Sequence, residues 1–261
     1  VDIINKFKSV FEKEPGKYSL DKVLITGFPH SGTTILRAIL ENIDCVHAHP
    51  WEATLASNEI CKTAVKSGAS HVVVKCPNIQ DSFFDESHEV YKDYKKIFII
   101  RSPFYTYSSL NRSKSENAPG VRLDDWQKTA QYWLAVKGER GREDVICIRY
   151  EDLFPRGFEG IREVISALGI SDYDNSVYEE NEKYSHKIED ISGDLTCNST
   201  THINDHKRFR RWQVHQKFKC SNTANSLNLS FDQINRISSM IETSVLGYTG
   251  DVMCQLLKPT K

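Results

Sequence analysis

The chain has 261 residues, of which 39% are hydrophobic and 26% charged, the balance of a soluble globular protein long enough to bury one sizeable core. A formal net charge of −1 gives no global field for a nucleic acid or a membrane surface, and no apolar run approaches the roughly 20 residues that a spanning helix needs. Seven cysteines, odd in number, scattered and without a C-x-x-C pair, read as reduced or buried thiols and not as a disulfide framework or a zinc site.

Residues 22–26 (Lys-Val-Leu-Ile-Thr) form a short apolar run of the kind that makes a buried parallel strand. The stretch that follows, Gly27-Phe28-Pro29-His30-Ser31-Gly32-Thr33-Thr34, fits the phosphate-cradling template G-x-x-x-x-G-K-[ST] at every position except the lysine, where Thr33 stands. Ile35, Leu36, Ile39, Leu40 and Ile43 then recur at helical spacing. In the order strand, loop, helix, the loop amides and the positive helix end point at one place. That arrangement suits a phosphate held by backbone donors and by the hydroxyls of Ser31, Thr33 and Thr34. An ordinary βα turn, whose glycines serve only tight geometry, is the other reading of the same residues. Without the lysine that reaches the β and γ phosphates of a triphosphate, phosphate binding is expected and ATP hydrolysis is not.

The segment His47-Ala48-His49-Pro50-Trp51-Glu52 offers three proton acceptors in six residues, followed by an expected helix over 53–65. Glu52 and His49 are both candidates, and an acid at position 52 also suits a helix start. Residues 71–75, 96–101 and 145–150 read as three further buried strands, continuous and β-branched. Helices are expected over 123–137, with Trp126, Ala130, Trp133 and Leu134 on one face, and over 158–168, stopping at Gly169. From 173 to 228 apolar periodicity is poor; a last helix is expected over 231–246. Strands alternating with helices imply an α/β protein, a three-layer parallel sheet flanked by helices, with residues 1–261 read as one domain.

Ligands of such sheets bind outside the carboxyl ends of the strands. There the chain places the glycine loop, Lys75, Arg101 and Tyr150-Glu151-Asp152-Leu153. A lysine and an arginine beside the loop carry more charge than one phosphate requires, which suits a ligand with two anionic groups. Ser109, eight positions after Arg101 at the expected start of a helix, is placed to share the second anion; a structural salt bridge is the alternative role for the arginine.

G-x-P-x-S-G-T-T after the first strand, R-x-P-x-x-x-x-x-S after a later one, Y-E-D-L after another and an Arg-Arg-Trp segment near the C-terminus together resemble the sulfotransferases that use 3′-phosphoadenosine 5′-phosphosulfate (PAPS). The resemblance runs from about Lys22 to Tyr248 and implies the P-loop NTPase-like sulfotransferase fold. It implies that Gly27, Pro29, His30, Ser31, Gly32, Thr33 and Thr34 hold the 5′-phosphosulfate, that Arg101 and Ser109 hold the 3′-phosphate, and that Tyr150 lies near the adenine. Lys207, Arg208, Arg210, Arg211 and Trp212 would belong to a basic loop closing over the cofactor, where a solvated surface turn is the alternative.

Two departures stand out: His30 and Ile35 occupy positions where the cytosolic members commonly carry a lysine and a tryptophan. Imidazole at His30 can still serve the leaving phosphate; Ile35 cannot stack on adenine. The resemblance is therefore to divergent bacterial-type or carbohydrate-type members. It implies catalytic roles for Glu52, His30, Lys75 and His49, no metal, a small-molecule or glycan acceptor, and a cytoplasmic protein or the lumenal ectodomain of a Golgi-type enzyme freed of its anchor. A P-loop small-molecule or nucleoside kinase and a non-catalytic nucleotide-binding protein of the same fold are the competing readings.

Overall fold

A computed structural model of the chain describes residues 19–77, 91–113, 122–139, 143–178, 218–222 and 227–240. Five strands build one sheet: β1 (Asp21–Gly27), β2 (Val46–Glu52), β3 (His71–Lys75), β4 (Tyr94–Ile100) and β5 (Val145–Arg149), in the order β2-β3-β1-β4-β5 and all parallel. The chain is thus an α/β protein with a parallel sheet flanked by helices, as its alternating pattern requires. Parallel strands are buried on both faces, which is why four of the five are continuous apolar runs.

Side-chain alternation splits the core in two. Val23, Ile25, Val73, Ile97 and Ile99 face α1 (Thr33–Glu41) and α5 (Pro155–Ala167), where Leu36, Ile39, Leu40, Ile161, Val164 and Ile165 close the first core. Leu24, Val74, Phe98 and Ile100 point to the other face, under α3 (Pro103–Ser113), α4 (Leu123–Gly138) and α6 (Phe231–Met240). A smaller cluster packs Cys61 and Ala64 of α2 (Asn58–Lys66) on Val72. Trp126 and Trp133 of α4 are buried, and their indoles donate to the carbonyls of Arg101 (3.2 Å) and Phe98 (2.9 Å). The end of β4 is thereby fixed to the helix that covers it.

Four expectations need correction. The fifth strand, β2, runs through His47–Glu52, which its histidines and Pro50 had disguised; it lies at the sheet edge, where a proline is tolerated. The following helix starts at Asn58, not at 53, because the Ser57 hydroxyl caps it by accepting from the Ile60 amide. Leu134 is exposed, and Val136 takes its place in the core. Backbone at Arg156, Gly157 and Phe158 is left-handed, so the regular part of α5 begins after 158. The helix expected over 231–246 is described as far as Met240, and nothing among the described residues is a helix long and apolar enough to cross a membrane.

Candidate functional site

β1 lies at the centre of the sheet, with β3 on one side and β4 on the other, so the chain order reverses around its carboxyl end. Such a switch point opens a crevice between the loops leaving the strands. Into it run the loop after β1, Lys75 from the end of β3 and Arg101 from the end of β4.

The loop is shaped by close approach. A Cβ at Gly27 would collide with the Ile99 carbonyl of the paired strand, and one at Gly32, whose φ is 102°, would collide with the Tyr150 ring. His30 adopts a φ of 63°, a left-handed conformation that costs a side-chain-bearing residue about 1–2 kcal/mol. Gly32 is the N-cap of α1 and no side chain among the described residues caps that end, which leaves first-turn amides directed at the crevice. Beside Gly27, the Ser31 hydroxyl is fully buried (0% exposure) and has no hydrogen-bond partner among the described residues. A buried orphan hydroxyl costs about 1–3 kcal/mol unless a ligand satisfies it. Both features fit an anionic phosphate in the loop.

An ammonium reaches the start of α1 from another strand. Lys75, 2% exposed, donates to Thr34 Oγ1 (3.1 Å) at the start of α1 and to Glu52 Oε1 (2.9 Å). Glu52 meets it because β2 bulges: Ala48 pairs with Val73 and Glu52 with Lys75, so four residues of β2 advance against two of β3. Glu52 therefore ends a strand and does not open a helix, and the helix-start explanation for an acid there is removed. Its side chain is half-exposed at 50%.

His49 stands three residues before Glu52 on β2. Burial, then the charges of His47 and Arg37, push its imidazole down to about 4, so it is neutral near pH 7 and a weak proton acceptor. Its carbonyl accepts from Arg37 (3.5 Å), a residue of α1 that forms a fully buried ion pair with Glu41 (2.9 Å).

On the other side of the loop, Arg101 is 5% exposed and stacks on the Tyr150 ring, 4.4 Å from its centroid. Its Nη1 donates to the His30 carbonyl (3.2 Å), while the His30 Nδ1 shares a hydrogen bond with Ser109 Oγ (2.8 Å). Arg101, Ser109 and the loop thus meet at His30. Ser109 does not lie at a helix start; it sits inside α3, and its hydroxyl is brought to the site by the second turn. Tyr150 is buried between Gly32 and Arg101, and burial raises its phenol above the ordinary range.

Residues absent from the sequence reading complete this wall. Arg101 donates through Nε (2.8 Å) and Nη2 (2.5 Å) to Asn222 Oδ1, and through Nη2 to Ser221 Oγ (2.9 Å). Tyr150 Oη accepts from the Ser221 amide (3.1 Å). Asn222 in turn donates to Glu151 Oε1 (2.6 Å), which also accepts from the Ser102 amide (2.9 Å). Ser221 and Asn222 lie about 120 residues from Arg101 in sequence, and no local pattern marks them; Glu151 was visible within the Y-E-D-L segment. Lys207, Arg208, Arg210, Arg211 and Trp212 lie outside the described residues. Among the described residues no cluster of His, Cys, Asp or Glu is arranged to hold a metal.

No family model and no curated protein matches the chain. Among solved structures it is similar to the sulfotransferase domain of the Synechococcus PCC 7002 olefin synthase (18% identity, 87% of this chain and 97% of that one, TM-score 0.43). It is also similar to mouse sulfotransferase SULT7A1 complexed with PAP (15% identity, 93% and 86%, TM-score 0.48) and to a sulfotransferase from Alicyclobacillus acidocaldarius (16% identity, 77% and 98%, TM-score 0.45). Likenesses this distant do not show what the chain does.

Proposed function

We propose that the protein is a sulfotransferase that moves the sulfuryl group of PAPS to a hydroxyl or amine of a carbohydrate or another polar acceptor. The observation that supports this most is one crevice with two anion-binding poles. An uncapped helix end with the orphaned Ser31 hydroxyl forms the first, and buried Arg101 with Ser109 forms the second. A ligand with a single phosphate group leaves the second pole unused. A nucleotide phosphorylated at both 5′ and 3′ positions uses both.

When bound, PAPS supplies an activated sulfuryl group whose departure leaves negative charge on the 5′-phosphate. Gly27 to Thr34 would hold that phosphate through loop amides and the hydroxyls of Ser31, Thr33 and Thr34, with charge stabilisation as the main catalytic contribution. Lys75, already on Thr34, brings a buried cation to the same pole. Arg101 and Ser109 would hold the 3′-phosphate, and His30, bonded to both, links the two poles and sits where it can bond the leaving phosphate.

Glu52, with its half-exposed carboxylate tethered to Lys75, takes the proton of the acceptor hydroxyl. His49 is the poorer base because its imidazole releases its proton near pH 4. The resemblance of the loop, R-x-P-x-x-x-x-x-S and Y-E-D-L motifs to PAPS-using enzymes supports the same assignment.

Calorimetric titration with 3′-phosphoadenosine 5′-phosphate (PAP), the product nucleotide, tests this reading. Saturable binding in the micromolar range is expected; no binding at millimolar PAP would overturn it.

A further inference from the structure

Tyr150 is the ring that touches both poles, yet the protein itself occupies it. It is 3% exposed; the Arg101 guanidinium lies over its face, 4.4 Å from the centroid, and its edge fills the space that a Cβ on Gly32 would need. Its hydroxyl is engaged by the amide and the hydroxyl of Ser221, both at 3.1 Å. A nucleotide base that stacks at this end of the crevice has to find another ring.

The next ring outward is Phe154. It is half-buried and meets Tyr150 edge to face, with centroids 5.2 Å apart and planes at 66°. Phe158 meets Phe154 in the same way, at 6.0 Å and 67°, and is itself stacked on Tyr178 at 4.9 Å and 8°. This row of rings follows α1. Tyr150 sits at its N-cap, Gly32, and at its far end the Asn42 side chain donates to the carbonyl of Val177, the neighbour of Tyr178 (3.0 Å). Ile35, one turn beyond Gly32, is half-buried against the same core as Phe154.

Strained backbone holds the row in place. Arg156, Gly157 and Phe158 are left-handed, with φ of 51°, 66° and 66°, a conformation that bulky side chains rarely adopt. The Phe158 amide donates back to the Phe154 carbonyl (3.3 Å), which closes the turn between the two rings. Such strain persists only where the surrounding contacts over-determine it. Phe154 is therefore a fixed ring, and a ligand that stacks on it has little ordering cost to overcome.

We infer that Phe154 is the platform on which the base of the nucleotide stacks, with Ile35 as its apolar neighbour. Tyr150 backs the platform and does not face the base. This rests on the proposed sulfotransferase reading, which puts the 3′-phosphate on Arg101. The steps from Arg101 to the Tyr150 ring and on to Phe154 match the reach from ribose to base, so a nucleotide anchored at both poles brings its base to Phe154.

The test uses the full chain and two ligands that share the ribose and both phosphates: PAP, and dihydrouridine 3′,5′-bisphosphate, whose saturated base cannot stack. Absence of PAP binding by the unaltered protein would overturn the sulfotransferase reading and this inference with it. Phe154→Ala is expected to weaken PAP about fivefold to a hundredfold, the worth of one base stacked on an aromatic ring, and to change the dihydrouridine ligand by less than about threefold. Equal losses for both, or no loss of PAP affinity, would overturn the inference and leave the reading standing.

A thermal melt shows whether the variant folds. Phe154→Leu keeps apolar bulk without an aromatic face and carries the same prediction should alanine unfold the chain. The ring protons of the adenine give a second readout that a purely structural role would not move. In PAP bound to the unaltered protein their magnetic resonance signals are expected to shift upfield, and in Phe154→Leu to shift less; equal shifts in the two proteins would overturn the inference.

Discussion

Lys75→Met separates the stabilising role of the buried lysine from its role in transfer. Lys75 is 2% exposed and donates to Thr34 Oγ1 and Glu52 Oε1. Its partner carboxylate is half-exposed, so the ion pair contributes at most about 1 kcal/mol to stability after solvent screening. Burying an ammonium costs several kcal/mol, a cost that methionine of similar length does not carry. The variant is therefore expected to melt within about 4 °C of the unaltered protein, or above it.

Transfer should respond in the opposite sense. A preorganised donor beside the group that gains charge contributes about 10²–10³ in kcat, or roughly 3–4 kcal/mol. The assay is turnover of PAPS to PAP followed by ion-exchange chromatography, in which water replaces the unidentified acceptor. A stable variant with kcat lowered by about two to three orders of magnitude and KM little changed is the expected result. An unchanged kcat would refute the catalytic role of Lys75, and a large drop in melting temperature would show that the ion pair is structural.

Two further outcomes are expected. Ser31→Ala removes a buried hydroxyl that has no partner among the described residues, so the free protein should gain about 1 kcal/mol of stability while PAP binding weakens about tenfold, measured by denaturant melts and calorimetry; unchanged PAP affinity would place the phosphate elsewhere. The unfolded chain protonates His49 near the ordinary imidazole value of 6.5 and the folded chain only near 4, so stability should fall as pH drops through that window. His49→Gln should flatten this part of a denaturant-midpoint profile, and parallel profiles would contradict the shift.

Much of the scaffold was legible because buried parallel strands are written as unbroken apolar runs: β1, β3, β4 and β5 all follow that rule, and the glycines of the loop announce the backbone conformations they adopt. β2 was hidden because an edge strand tolerates His47, His49 and Pro50. Its bulge, which no local pattern encodes, is what turns Glu52 toward Lys75. Arg101 and Ser109 were visible by their place after a strand; Asn222 and Ser221 were not, since about 120 residues separate them from Arg101 and only the tertiary fold brings them together. The Ser57 cap that delays α2 to Asn58 was readable in the sequence, but the acid at position 52 suggested an earlier start.

The central claim is a crevice with two anion poles, and the thermodynamic cycle between two ligands and one side chain tests it most directly. PAP and adenosine 5′-phosphate are titrated into the unaltered protein and into Arg101→Ala. The account predicts that the variant loses about tenfold to a hundredfold in affinity for PAP and little for adenosine 5′-phosphate, because only PAP carries the group that Arg101 holds. Equal losses for both ligands, or none for either, would contradict it.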